Sequence, residues 1–180
     1  EELRSLMDLP CSNEQVKKAF VFSCFTGLRL SDARTLTWRK VYKTPDGKTL
    51  YIHVFMQKTQ KPNNIPLSQE ALNCIQVKDN LDEPIFTLPA SDATINYHVK
   101  KLVKAAGIEK KVSFHCSRHT FATMMLTLGV DIYTTSKLLG HANVTTTAIY
   151  AKIVDKKKVD AMNLVNDLFT KDDNTENYED

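Results

Sequence analysis

Two histidines and an arginine fall within one short run, His115-Cys116-Ser117-Arg118-His119, followed by a Leu139-Gly140-His141 corner and then by Tyr150 in a threonine-rich segment. These residue types suit an attack on a phosphodiester without a metal. His115 and Arg118 are three apart and so share a face of any helix that carries them. Arginine presents a planar fork of donors that matches two phosphate oxygens, and a tyrosine can act as a covalent nucleophile. Earlier in the chain, Arg29 stands between Leu28 and Leu30. A buried guanidinium is costly unless paired, so Arg29 is either an exposed turn residue or a group aimed into a cleft, with Asp32 near enough to orient it. Lys58 and Lys61 lie in the polar stretch Gln57-Lys58-Thr59-Gln60-Lys61-Pro62. Such a stretch is ordinarily a solvated turn, and it also makes a finger for a DNA groove.

The elements that must position these groups follow from pattern and punctuation. Ser12-Asn13-Glu14-Gln15 reads as a capping box, with Ser12 as N-cap and Gln15 as its partner, opening a helix through Phe25. Its apolar residues wrap most of the circumference, which places it centrally. Thr26-Gly27 stops it, and Ser31 caps a short helix at Asp32-Ala33-Arg34. The period then becomes extended: 41–43, 50–56 and 64–67 read as three antiparallel strands. Ser68 caps a helix to about Val77, and Phe86 anchors the loop that follows. Ser91 caps a helix to Ala106, with Lys100, Lys101 and Lys104 outside, a face that is merely solvated unless a cleft beside it brings phosphates there. Phe114 to Gly129 and Asp131 to Leu139 are two further helices. They could pass for a helix-turn-helix, but the second has only Lys137 as a cation and is discounted. Three threonines (145–147) disfavour a long helix, so Tyr150 is expected in a short segment.

The fold class expected is therefore α+β, mostly helical with a small three-stranded antiparallel sheet. Three spans are expected: residues 1–10 as a linker, 11–170 as one domain, and 171–180 as a disordered acidic tail. The chain has 180 residues, 42% of them hydrophobic and 25% charged, an ordinary globular composition. Net charge is +3, but the last ten residues hold one lysine against five acids, which leaves +7 on residues 1–170. That excess is compatible with nucleic acid and equally with a solvated surface. Four cysteines (Cys11, Cys24, Cys74, Cys116) without C-x-x-C spacing argue against zinc or a disulfide framework and for buried free thiols in a reducing cytoplasm. No apolar run approaches the ~20 residues of a membrane helix, and no signal peptide is visible.

The series Thr26-Gly27-Leu28-Arg29-Leu30-Ser31-Asp32, Lys58, His115-Cys116-Ser117-Arg118-His119-Thr120-Phe121-Ala122-Thr123, Leu138-Leu139-Gly140-His141 and Thr147-Ala148-Ile149-Tyr150-Ala151 resembles the catalytic domain of tyrosine recombinases, also called phage integrases. It is most similar to integrases of Bacteroides-type mobile elements, over roughly residues 10–165. Any one of these residues has a bland structural explanation. All five motifs in family order do not.

The resemblance implies that Tyr150 joins the scissile phosphate as a 3′-phosphotyrosine and frees a 5′-hydroxyl. Arg29 and Arg118 would brace the non-bridging oxygens, Lys58 would protonate the departing 5′-oxygen, His115 would assist proton transfer around the nucleophile, and His141 would bond the phosphate or position Tyr150. Asp32 stands where the family often has Glu and would support the site. His119 is expected to be a structural core histidine. The partner implied is double-stranded DNA, with Lys58, Lys61, Lys100, Lys101 and Lys104 on its backbone. Self-association in a tetrameric synapse would run through a C-terminal helix, 156–169, whose apolar stripe is Val159, Met162, Val165 and Phe169. No metal, nucleotide or other cofactor is implied, and the setting is a bacterial cytoplasm. Full-length members carry a helical core-binding domain before the catalytic one, to which nothing here corresponds, so the resemblance implies a catalytic fragment of low DNA affinity. Two other readings remain: a DNA-binding accessory protein that has lost cleavage, and a type IB topoisomerase, which shares the tyrosyl chemistry.

Overall fold

The computed structural model describes residues 2–76, 80–150, 159 and 161–165. Helix α1 (Glu2–Asp8) comes first, where a linker was expected. Leu3, Leu6 and Met7 recur at helical spacing, and that stripe packs on the core with Leu6 buried. Helix α2 (Glu14–Thr26) runs through the middle of the domain and touches α1 and every other long helix described below. Val16, Ala19, Phe20, Val21, Phe22 and Cys24 are all buried on it. Phe20 meets Phe114 edge-on at 5.7 Å, and Phe22 meets Phe86 at 5.3 Å, so the loop anchor expected at Phe86 is a core residue. Such pairs add about 0.5–1.5 kcal/mol beyond the area they bury.

The cap of α2 differs from expectation by one residue. Asn13 Oδ1 accepts the Val16 N–H at 3.1 Å, Glu14 Oε1 accepts the Cys11 N–H at 2.8 Å, and Gln15 Oε1 accepts the Thr87 N–H instead of closing a box. Asparagine caps as well as serine does, so sequence alone does not choose between neighbours. Likewise α3 spans Leu30–Arg34 with Arg29 at its N-cap, two residues ahead of the expected Ser31.

A 3₁₀ turn (Trp38–Lys40) leads into a meander of β1 (Val41–Lys43), β2 (Leu50–Met56) and β3 (Lys61–Pro66), antiparallel and in that order. Ile52 pairs with Val41 on one side and Ile65 on the other. Alternation buries Ile52, Val54 and Met56 and turns His53 and Phe55 outward. Strand β3 starts at Lys61, opposite Met56, rather than at Asn64. The connection is thereby cut to residues 57–60, with Gln60 at φ 50°, and Lys58 stands at its tip.

Helix α4 (Gln69–Leu72) is capped by Ser68 as expected but ends early, and position 77 lies outside the described residues. In α5 (Asp92–Ala105), Ile95, Val99, Leu102 and Val103 face the core while Lys100, Lys101 and Lys104 are exposed. Helices α6 (Cys116–Thr127) and α7 (Ile132–Leu138) follow, the latter capped by Asp131 Oδ1 on the Thr134 N–H. A 3₁₀ helix, Val144–Tyr150, comes next. Val159 and residues 161–165 are helical, and the expected tail 171–180 lies outside the described residues. All four cysteines are free, but only Cys24 and Cys74 are buried; Cys11 and Cys116 are half-exposed. Burial pushes the Cys24 thiol far up and that of Cys74 up to about 11.

Candidate active site

The site begins where α2 ends. Gly27 takes φ 70°, and a Cβ there would come within 2.7 Å of the Phe121 ring and 3.0 Å of Leu139. Only glycine suits both the left-handed backbone and that approach. The turn aims the Gly27 carbonyl at α6, where it accepts from Arg118 Nη1 at 2.6 Å; Arg118 Nη2 donates to the carbonyl of Leu139 at the end of α7. One guanidinium thus ties three helices, and its side chain is 5% exposed. Burial, and then the nearby Arg29 charge, bring its pKa down to about 10, so it stays protonated at neutral pH.

Arg29, at the head of α3, is lowered by burial and raised in part by Asp32. Its Nη1 lies 3.9 Å from Asp32 Oδ2, and neither atom has a hydrogen-bond partner although both are buried. Asp32 Oδ1 meanwhile accepts the Gln57 N–H at 3.1 Å. One carboxylate therefore steadies both Arg29 and the root of the hairpin that carries Lys58. A buried donor without a partner at the wall of a cleft is suited to an anionic oxygen.

His115 opens α6 and His119 lies one turn on, their rings edge-to-face at 4.8 Å and 87°. Burial first, then the charges of His119, Arg118, Arg29 and Lys58, hold His115 below the usual histidine range. His141 follows Gly140, which sits at φ 61° against Met56 and Asn63. Asn63 Nδ2 donates to the Leu138 carbonyl at 2.9 Å, docking β3 on this corner. His141 Nδ1 lies 2.8 Å from the hydroxyl of the fully buried Thr147. Burial and the same three cations push its pKa down to about 4, so the ring is neutral. Tyr150 packs on the small cluster of Phe121, Ala122 and Leu139; burial raises its pKa, and Arg118 opposes the shift. Its hydroxyl is 2.5 Å from His119 Nδ1.

Arg29, Lys58, His115, Arg118, His141 and Tyr150 all line one cleft of about 540 Å³, with Thr59 and His119 among the other wall residues. Asp32 lies buried behind Arg29. Lys61, Lys100, Lys101 and Lys104 are exposed and do not line that cleft. His119, expected as a structural residue, is instead bonded to the tyrosine hydroxyl. Its spacing of four from His115 was the available signal, since i and i+4 share a helix face.

The model of the phage integrase family matches residues 1–157. The chain belongs to the phage integrase family. This integrase domain is 28% identical over 169 residues to a tyrosine recombinase of Pseudothermotoga lettingae, a match covering 90% of this chain and 58% of that protein. It is 32% identical over 165 residues to the tyrosine recombinase XerA of Thermococcus onnurineus, covering 85% and 56%. It spans little more than half the length of these relatives. The crystal structure of XerA recombinase matches it at a TM-score of 0.69 and 27% identity, over 89% of this chain and 62% of that one. The catalytic domain of bacteriophage HP1 integrase does so at 0.62 and 26%, over 84% and 82%. The mostly helical α+β fold with its three-stranded antiparallel sheet is that of integrase catalytic domains. Among the described residues, no helix is long and apolar enough to cross a membrane.

Proposed function

We propose that this chain is the catalytic part of a site-specific DNA recombinase, cutting and rejoining duplex DNA through a 3′-phosphotyrosyl intermediate. The observation that carries the reading is the convergence of a phenol, two guanidinium groups and a lysine on one cleft from four distant points of the chain. Tyr150 attacks the scissile phosphorus. Arg29 and Arg118 hold the non-bridging oxygens, where charge grows in the transition state, and being fixed beforehand they need no reorganisation as it grows. His141, neutral and anchored through Thr147, hydrogen-bonds the phosphate. Lys58 protonates the departing 5′-oxygen, His115 supports proton movement around the nucleophile, and Asp32 keeps Arg29 and the Lys58 hairpin in register.

The names of the relatives support the substrate class, and two more distant fold neighbours are DNA complexes: XerH bound to difH substrate and the Tn1549 transposon integrase with circular intermediate DNA. Lys58 and Lys61 at the hairpin and Lys100, Lys101 and Lys104 on α5 contact phosphates. Assembly into a tetrameric synapse uses the apolar stripe of the segment 156–169, of which Val159, Met162 and Val165 are exposed. A parent element of the Bacteroides type and a bacterial cytoplasmic setting complete the reading, on the motif resemblance alone.

The test is covalent trapping. Duplexes randomised around a single nick, incubated with the chain, should yield an adduct that survives a denaturing gel, and Tyr150→Phe should yield none while retaining weak binding. No adduct from the wild type, or one that persists in the variant, refutes the reading.

A further inference from the structure

The Tyr150 hydroxyl has one hydrogen-bonding neighbour among the described residues, and it is His119: the Nδ1–Oη distance is 2.5 Å, with ring centroids 5.8 Å apart at 60°. The other two imidazoles of the cleft are engaged differently. His141 directs Nδ1 to Thr147, and the His115 ring packs edge-to-face with that of His119. A phenol needs a base at its proton to attack at neutral pH, and this one is made harder to ionise by burial.

We propose that His119 is the catalytic base that takes the proton of Tyr150. The inference deepens the recombinase reading and rests on it. As the bond from Tyr150 Oη to phosphorus forms and the bond from phosphorus to the 5′-oxygen breaks, the phenolic proton passes to Nδ1 of His119. The departing oxygen takes its proton from Lys58. In the rejoining step a 5′-hydroxyl gives its proton back to Lys58 as it attacks phosphorus and displaces the tyrosyl oxygen, which takes its proton back from His119, so protons and electron pairs balance. His119 in its Nε2–H tautomer accepts from the phenol, and this hydrogen bond is the path of transfer. His115, a turn earlier, meets this base edge-to-face at 4.8 Å and helps hold its ring where it bonds the Tyr150 hydroxyl.

Two substitutions separate a base from a tether. His119→Asn places an amide oxygen close to where Nδ1 lies, so it preserves an acceptor for the hydroxyl but cannot take a proton; His119→Ala removes both. Single-turnover adduct formation is measured on a nicked duplex that the wild type has been shown to trap. Both variants should be slower by about 100-fold or more, the usual worth of a general base. Added imidazole should restore rate to His119→Ala, whose small side chain leaves room for it. Wild-type rate in His119→Ala, or recovery in His119→Asn without imidazole, overturns the inference while the Tyr150-dependent adduct of the wild type leaves the recombinase reading standing. Slow variants that imidazole does not rescue, with unfolding temperatures well below that of the wild type, also overturn it, because His119 then acts through the fold. If the wild type traps no DNA, both readings fall together.

Discussion

At the scale of single residues, Arg118 carries two loads that can be separated. Its guanidinium satisfies the carbonyls of Gly27 and Leu139 and also faces the cleft. Arg118→Lys keeps the charge but cannot reach both carbonyls with one ammonium. The loss of one fixed oxyanion donor typically lowers a rate by about 10²–10³, and a buried carbonyl left without a partner costs about 1–3 kcal/mol. Arg118→Lys should therefore lower both adduct formation and the unfolding temperature, whereas a change confined to one of them would mean that the two loads are not shared. His141 gives a pH test. Its folded-state pKa of about 4 lies below the ordinary 6.5, so between those values the unfolded chain binds a proton that the folded chain refuses. The stability held by the neutral ring is complete above about pH 6.5 and is lost as pH falls through about 4; His115 is shifted in the same direction. His141→Gln should flatten this decline, as read from unfolding temperatures across that window, and an unchanged slope would mean that His141 is not buried as described.

At the scale of elements, the site depends on turns as much as on helices. Gly27→Ala would press a methyl onto Phe121 and Leu139 in a backbone that resists it. Overpacking of this kind costs about 1–3 kcal/mol, and the shifted carbonyl would release Arg118. The expected result is a lower unfolding temperature together with lost cleavage; tolerance of the methyl would show that the junction of α2, α6 and α7 is looser than its contacts. These turns also mark what could be read from sequence. Gly27 and Gly140 do end helices where punctuation placed them, with φ of 70° and 61°, and the strand alternation of residues 50–56 gave β2 its bounds. The motif residues Arg29, Lys58, Arg118, His141 and Tyr150 could be named in advance because they stand together in the order of a known family's motifs, although each alone has a plain structural explanation. His119 was harder: its spacing of four from His115 puts the two on one helix face, but a histidine on a helix with apolar neighbours suits a core as well as a proton transfer, and the approach of Tyr150 from 31 residues away decides between them. The helix α1 was hidden for a related reason: a seven-residue stripe needs a partner surface to be recognised, and that surface comes from α2.

At the scale of the whole molecule, charge and apolar surface are distributed unevenly, and each makes a prediction. The chain is basic overall at +3 despite its acidic end, and Lys100, Lys101 and Lys104 form an exposed row on α5 away from the cleft. If they lie along phosphates, replacing all three with alanine should flatten the dependence of DNA affinity on salt by roughly 0.9 in the log–log slope per lost contact; an unaltered slope would put the DNA on another face. The apolar counterpart is at the other end. Val159, Met162, Leu164 and Val165 are 46–70% exposed, so each would gain roughly half of the ~1.5–3 kcal/mol that full burial of such a side chain is worth. A second protomer on DNA supplies that burial in the proposed synapse. Because these side chains contribute little to the core of their own domain, truncation after Asp155 should leave the unfolding temperature nearly unchanged and should leave adduct formation on a single nicked site intact. Complexes that join two DNA sites should disappear, which native gels with two duplexes of different length would reveal. A marked fall in unfolding temperature would instead mean that the segment folds back on its own domain, and undiminished two-site complexes would assign the assembly contacts to another surface.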